Sequence, residues 1–578
     1  MFKSNLSASF ALAALTALSS LAGDFEPVRK KCVAFGWEFK IMQPKDYLEC
    51  ADAFDRTGLD GCGICLGKRS ADGKRGYSCI ELLTEPAWPE GLWDDQVPLL
   101  QEMKKHRAFQ DCFLLLFRTP SRRLSWTDDA EWARINNNAR ILAKAAAAGN
   151  VKGFFIDHED YTQIRQFFKE PGDPVYEKLA PIVRRRARDL FSAVFREHPK
   201  AVVFSYWFLS HNIHLAGGTD PAGVTADSGE LWPAFVNGIL DVLPREAKLV
   251  DGNEWAYDYE NKDEDFVRSA LWQRETALAL VAPENRQKYR GQCLTGFGHY
   301  LQTYVQQDPK NRYYFGPVEG SRLRHLERNL SQSLSCAGEY VWFWGEAYTW
   351  VHYKPGRISP GWHINDKTWE EWLPGLPTVL NALTRPNEFL ASRTRELKAK
   401  GELVNLVTNS ACRVEKTFET KGFHSGEKVP CFGTWQKEAK WVKINKGVFG
   451  VDDSTGDGDS SSLCTEGVGM GCFTVKAVKV KPGEFYAVVA SSKGERGSVS
   501  INWQKDGKWR WFVNGQGVAF KDRPGTPWRR ATGLVRVPDG VDTMCVNLGV
   551  RNSEKGRTWF DNVGIYRLLG DPYPDVVK

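Results

Sequence analysis

Eight short apolar runs, separated by segments of helical periodicity, constrain the fold of this chain more than any other feature. They are KCVAFGW (31–37), LDGCGICL (59–66), DCFLLLF (111–117), VKGFFID (151–157), AVVFSYWF (201–208), AKLVDG (247–252), CLTGFGHY (293–300) and EYVWFW (339–344). Near-continuous apolar runs of this length suit strands covered on both faces, as in a parallel sheet. Between them lie DYLECADAFDR (46–56), DAEWARINNNARILAKAAAAG (129–149), PIVRRRARDLFSAVFREH (181–198) and SRLRHLERNLSQSLSCAG (321–338), which read as helices. Eight such βα units over about 350 residues match the rhythm of a (β/α)8 TIM barrel with enlarged loops. A doubly wound open sheet is the competing α/β arrangement. It would want a glycine-rich phosphate turn after the first strand, where GWEFKIMQP stands instead.

The N-terminus reads as a secretory signal peptide over residues 1–22. Lys3 gives a basic start, LSASFALAALTAL (6–18) an apolar core, and Ser20-Leu21-Ala22 a small-x-small cleavage site. That core is shorter than the roughly 20 residues of a membrane-spanning helix, so membrane insertion is not expected. The reading is a secreted or periplasmic protein. A chain of 578 residues exceeds what one hydrophobic core usually supports, which predicts a second domain.

The division falls near residue 400. Residues 366–400 continue the helical pattern, so the barrel is placed at 27–400. Beyond it, short alternating segments such as GCFTVKAV, FYAVVASS and SVSINWQ are separated by glycine-rich turns, which predicts an all-β sandwich or jelly roll at 401–578. ELVNLVTNSACR (402–413), SLCTEGVGMGCFTVKAVKVKPGEFYAVV (462–489) and TWFDNVGIYRL (558–568) resemble the first strand, the central hairpin and the closing strand of jelly-roll carbohydrate-binding modules. Trp503, Trp509 and Trp511 are candidates for a sugar platform there, with core packing as the alternative.

Composition narrows the partners. A formal charge of +6 is spread over 77 basic and 71 acidic residues without a long run of one sign, so no nucleic-acid partner is expected. Thirteen cysteines show no paired metal spacing. Cys62 and Cys65 read as core, and neither a metal nor a cofactor is expected. The 22 tryptophans are roughly three times ordinary usage. Trp offers a broad apolar face with one polar edge, suited to stacking on sugar rings as well as to packing.

In a barrel of this kind the C-terminal strand ends form the active-site rim, so polar residues that interrupt an apolar run there are candidates for chemistry. VKGFFIDHEDY (151–161) is the clearest case. With period two, Asp157 and Glu159 share the face of Phe155. Two carboxylates on one face of a buried strand repel, and burial raises at least one pKa, as a general acid near neutrality requires. The competing role is capping of the following helix or pairing with an arginine.

GFFIDHEDY resembles the fourth-strand motif of chitinase-like glycoside hydrolases. The resemblance implies that Glu159 is the proton donor and Asp157 its partner, although Lys152 and Phe155 stand where that motif has aspartates and His158 where it has tryptophan. A second mapping, resembling galactosidase-like barrels, makes Asp157 the nucleophile and Glu254, in LVDGNEWAYDYE (249–260), the acid. Strand eight adds Trp342, Trp344 and Glu346 on one face. Trp37 after strand one, Trp207 and His211 after strand five, Trp255 after strand six, and His299 with Tyr300 after strand seven complete the candidate subsites. No Gly-x-Ser-x-Gly elbow or His-Glu-x-x-His pattern suggests an esterase or metalloprotease. The expectation is a secreted glycoside hydrolase acting on oligo- or polysaccharides with paired carboxylates. The alternatives are a non-catalytic glycan-binding protein on a barrel scaffold and a polysaccharide lyase.

Overall fold

The computed structural model describes residues 28–70, 75–160, 163–260, 262–352, 367–436, 446–511, 513, 515–551 and 556–570; the expected signal peptide lies outside the described residues. All eight apolar runs contain strands: β1 (Lys31–Gly36), β2 (Gly61–Ile64), β3 (Phe113–Arg118), β4 (Gly153–Asp157), β5 (Val202–Ser205), β6 (Lys248–Asp251), β7 (Cys293–Thr295 and Phe297–Tyr300) and β8 (Tyr340–Gly345). Each pairs in parallel with its neighbours, and β8 returns to β1 from Lys31↔Tyr340 to Gly36↔Gly345. β7 breaks at Gly296. Its first half pairs with β6 and its second with β8, so the ring closes around that break.

Helices surround the strands as their periodicity requires. Asp128 starts α1 (Asp129–Ala148) by accepting from Glu131 N at 2.9 Å, and Ser321 does the same for α4 (Arg322–Cys336), accepting from Arg324 N at 3.1 Å. Between them lie α2 (Tyr176–Glu197) and α3 (Trp232–Val242), and α5 (Pro386–Ala399) ends the barrel. No helix among the described residues is long and apolar enough to cross a membrane.

Aromatic rings fill the barrel in place of the more usual branched aliphatic layers. Phe35 lies 4.9 Å from Phe155 and 5.3 Å from Phe204, and Tyr206 stacks on Trp342 at 4.7 Å. The N-terminal mouth is plugged by charge. Lys31 Nζ lies 2.9 Å from both Asp111 and Glu339, and Lys248 2.9 Å from Glu339, which holds the Glu339 carboxyl down at about 2 against its burial. Cys62 Sγ faces Cys112 Sγ at 3.8 Å inside the core, so the CxxC pair is packing.

Rings this large need space where the strands begin. A Cβ on Gly153 would stand 1.9 Å from the Val202 carbonyl oxygen and 2.6 Å from its nitrogen, backbone atoms that cannot swing aside. Gly153→Ala is expected to force β4 from β5 at a cost of about 1–3 kcal/mol, read as a lower denaturation midpoint. An unchanged midpoint would show that the strands slide freely.

The C-terminal part is antiparallel throughout. Its main strands are β9 (Phe423–Ser425), β10 (Phe432–Gln436), β11 (Val448–Asp452), β12 (Ser462–Glu466), β13 (Gly471–Val475), β14 (Phe485–Gly494), β15 (Gly497–Lys505), β16 (Lys508–Trp509), β17 (Phe520–Asp522), β18 (Arg529–Arg536), β19 (Thr543–Val550) and β20 (Arg557–Leu569). One sheet runs β9-β11-β12-β20-β14-β18-β17 and the other β10-β13-β19-β15-β16, with Val451, Phe473, Ile501, Trp503, Val546 and Phe560 buried in their shared core.

Two expectations are corrected here. Residues 402–413 form no regular strand, only an isolated bridge between Asn405 and Tyr566. Nor does the Pro482-Gly483 turn of the expected hairpin join paired strands, because β13 and β14 on either side of it belong to opposite sheets. Trp503 is core, whereas Trp509 and Trp511 stack at 5.1 Å and stand 43% and 71% exposed.

The sandwich is packed against the barrel. Phe389, Leu390 and Leu397 of α5 share an apolar cluster with Phe485, Ala487 and Leu568. Beside it, Glu327 of α4 accepts from Arg324 and from Arg536 of β18, while Asp539 accepts from Arg324 and Arg328.

Candidate active site

β4 delivers the acids to the mouth of the barrel. Phe155 points to the axis, against Phe35 and Tyr206, and Phe154 points out to His198, so Asp157 continues the inward face. Asp157 is 3% exposed, and its carboxylate lies 3.3 Å from the Glu159 N–H. Burial raises its pKa, opposed by Lys40, by that N–H and by Arg118. Glu159 is half-buried. Burial first, and then the Asp157 and Glu346 carboxyls, push it up to about 8 against the pull of Lys40.

Glu254 arrives differently from the expected strand continuation. β6 ends at Asp251, Asn253 takes a left-handed turn with φ 44°, and Glu254 opens a short 3₁₀ turn, Glu254–Asp258. Its carboxyl is buried near Glu159 and Asp157 and is raised well above the ordinary range, chiefly by burial. Glu346 is tied to its neighbours: Tyr300 Oη donates to it at 2.9 Å and Trp344 Nε1 at 2.8 Å. Four carboxyl groups thus converge on one mouth.

The aromatic candidates divide into groups. Trp37 and Trp344 flank the Lys40 ammonium, whose Nζ lies 5.3 and 5.2 Å from their ring centres. Trp342 is fully buried and donates to the Gly252 carbonyl at 2.7 Å, so it is the floor beneath the acids and no exposed platform. Trp207, His211 and Trp255 form a second cluster: His211 lies 4.9 Å from Trp207 and stacks on Trp255 at 5.9 Å. Asp251 holds that β5 loop, accepting from Phe208 N at 3.0 Å and Ser210 N at 2.8 Å.

His299 is the correction among the candidates. It belongs to the outward face of β7, where Nε2 lies 2.8 Å from Ser333 Oγ and Nδ1 3.3 Å from Tyr304 Oη, and burial takes its pKa down to about 3. Tyr300, one residue on, faces the mouth, as period two requires.

Sequence reasoning missed Lys40, Tyr206, Tyr257 and Glu230. Lys40 was findable, being one helical turn from Trp37 just after β1. Tyr206 was also findable, two residues from the inward Phe204. Tyr257, with a ring 5.5 Å from Trp342, and Glu230 reach the site through a 3₁₀ turn and a long loop that alternation does not describe.

No protein-family model matches the chain, and no curated protein matches it either. Among solved structures, it is similar to the catalytic domain of a hyperthermophilic chitinase from Pyrococcus furiosus at 11% identity, over 63% of this chain and 97% of that one, with a TM-score of 0.32. A carbohydrate-binding module solved with β-1,4-galactotriose aligns at 16% identity over 28% of this chain and 99% of its own, with a TM-score of 0.18. The enzymatically active domain of bacteriophage CBA120 tailspike protein 4 aligns at 15% identity and a TM-score of 0.21 over 28% of this chain, which spans only 21% of that domain.

Proposed function

We propose that this chain is an exported glycoside hydrolase in which Glu159 protonates the leaving oxygen and Asp157 holds the negative charge opposite it. The observation that supports this most is the division of labour between the two carboxyls. Burial raises the pKa of enclosed Asp157, against Lys40, the Glu159 N–H and Arg118, while half-buried Glu159, raised by burial and by the Asp157 and Glu346 carboxyls, lines an open cavity and keeps its proton up to about 8. Glycoside cleavage needs one carboxylic acid and one carboxylate beside an oxocarbenium-like transition state. The aromatic floor and walls match the apolar faces of sugar rings.

The test is release of reducing ends from plant, algal and host glycans by the chain from Gly23 onward. Glycan binding without any release would leave a binding protein on the same scaffold. Product stereochemistry then assigns the attack: a retained anomer means that Asp157 is the nucleophile, and an inverted one that water is.

Lys40 gives an independent check. Removing its charge in Lys40→Met raises the pKa of both Asp157 and Glu159. The acidic limb of the pH–rate profile, set by loss of the Asp157 carboxylate as pH falls, is therefore expected to move to higher pH. A profile that keeps its acidic limb in place would show that Lys40 does not govern the ionised group.

A further inference from the structure

Glu159 also borders a second space, whose lining does not include Glu254 or Glu346. A cavity of about 220 Å³ opens between the β4 and β5 loops, lined by Thr119, His158, Glu159, Trp207, His211 and Glu230 on its polar sides. Phe167, Gln166 and Trp232, at 6%, 2% and 1% exposed, form buried walls behind it. His158 is fixed there by stacking on Trp232 at 3.7 Å.

Four residues of this lining each carry a buried polar atom with no hydrogen-bond partner among the described residues: Thr119 Oγ1, His158 Nδ1, Trp207 Nε1 and His211 Nδ1. Buried polar groups are ordinarily paired, and four unpaired ones on residues that line one cavity describe a site that a ligand or water completes. The residues are not loosely held. Thr119 N donates to the Asp157 carbonyl at 2.9 Å, Asp251 anchors the loop that carries Trp207 and His211, and Trp232 Nε1 donates to the Phe208 carbonyl at 2.9 Å.

We propose that this cavity is a subsite for one uncharged pyranose ring at the end of a glycan chain, with Thr119, His158, Trp207 and His211 supplying its hydrogen bonds. The inference rests on Glu159 being the proton donor, since the glycosidic oxygen then lies between this cavity and the barrel mouth. Size sets the number of rings. A cavity of roughly 150 Å³ accepts benzene, so about 220 Å³ accepts one substituted six-membered ring. The buried walls of Phe167, Gln166 and Trp232 back the ring.

Chemistry sets the charge. An indole N–H only donates, so the ligand must place an acceptor against Trp207, a hydroxyl or ring oxygen and not an ammonium group. An anionic sugar would meet the Asp160 carboxylate, and Arg165 of the lining is already 3.3 Å from Glu170. A hydroxyl both donates and accepts, and it suits every orphaned atom.

The experiment is calorimetric titration of the whole chain with glucose, galactose, mannose, xylose and N-acetylglucosamine, beside glucuronate and glucosamine. Trp207→Phe and Thr119→Val are titrated in parallel, with melting curves to verify folding. One uncharged sugar is expected to bind one-to-one, and each variant to lose about tenfold in affinity with its melting temperature kept. On a ladder of oligosaccharides, the wild type should shorten chains by one constant step from a single end.

Absence of binding by any uncharged sugar, tighter binding of glucuronate or glucosamine, or equal affinity in both folded variants would overturn the subsite. Hydrolysis with random product lengths would remove the chain-end subsite and leave the hydrolase standing. Binding that is lost in the variants, with no hydrolysis of any glycan, would keep the subsite and remove the hydrolase.

Discussion

Glu159→Gln is expected to lower glycan hydrolysis by about 100- to 10,000-fold, the range that a positioned general acid contributes, while glycan affinity stays close to that of the wild type. The amide keeps the shape and loses the proton. The wild-type rate should fall as pH rises past about 8, where Glu159 deprotonates, and the variant's residual rate should lose that limb. A variant that keeps most of the wild-type rate would transfer the acid's role to Glu254.

The same residue carries a signature that needs no substrate. Glu159 titrates at about 8 in the fold against an ordinary value of 4.5. The folded state therefore holds a proton that the unfolded chain releases between those values. The associated stability is present below about 4.5 and is lost as pH rises to about 8. Glu159→Gln has no proton to lose. Its melting temperature should match the wild type near pH 4 and exceed it increasingly toward pH 8; a constant gap would mean that the carboxyl is not the strained group.

Glu327→Ala is expected to destabilise the whole chain by about 3–5 kcal/mol, although it lies far in sequence from the acids and belongs to the seam between barrel and sandwich. Glu327 and Arg324 side chains are both 0% exposed, and the Arg536 Nη2 donates to Glu327 from the sandwich at 2.9 Å. Without the carboxylate, the Arg324 and Arg536 guanidinium groups lose the charge they share, and Arg324 keeps Asp539, which also holds Arg328, and Glu319 at 3.7 Å. Burying an unmatched charge costs far more than an exposed ion pair gains, which is about 1 kcal/mol or less. Chemical denaturation should show one early transition. A loss under about 1 kcal/mol would mean that water screens the seam.

This seam also shows where reading the sequence stopped. RLRHLERNL (322–330) has the period of a helix against a barrel, but nothing in it says that Arg324 and Glu327 meet Arg536 more than 200 positions away. The four helices expected between strands were legible as periodic segments, the first of them splitting into Pro44–Glu49 and Ala51–Arg56 around Cys50. The strand after residue 401 was not. Its residues follow β20 only loosely, through the Asn405–Tyr566 bridge, Leu406 N donating to the Ile565 carbonyl at 2.8 Å and Val563 N to the Ser410 carbonyl at 3.0 Å.

The barrel was legible in the sequence by itself, because eight apolar runs of strand length alternate with helical segments and no glycine-rich phosphate turn of an open sheet follows the first of them. It singled out the acids too, Asp157 at the inward end of β4 and Glu159 two residues beyond it. Only the tertiary structure decided that His299 turns away while Tyr300 turns in, and that Glu254 arrives on a left-handed turn. Only it placed Lys40 between two tryptophans and in reach of both β4 acids. Those outcomes depend on which loop closes over which strand end, a property of contacts across the ring that no local pattern carries.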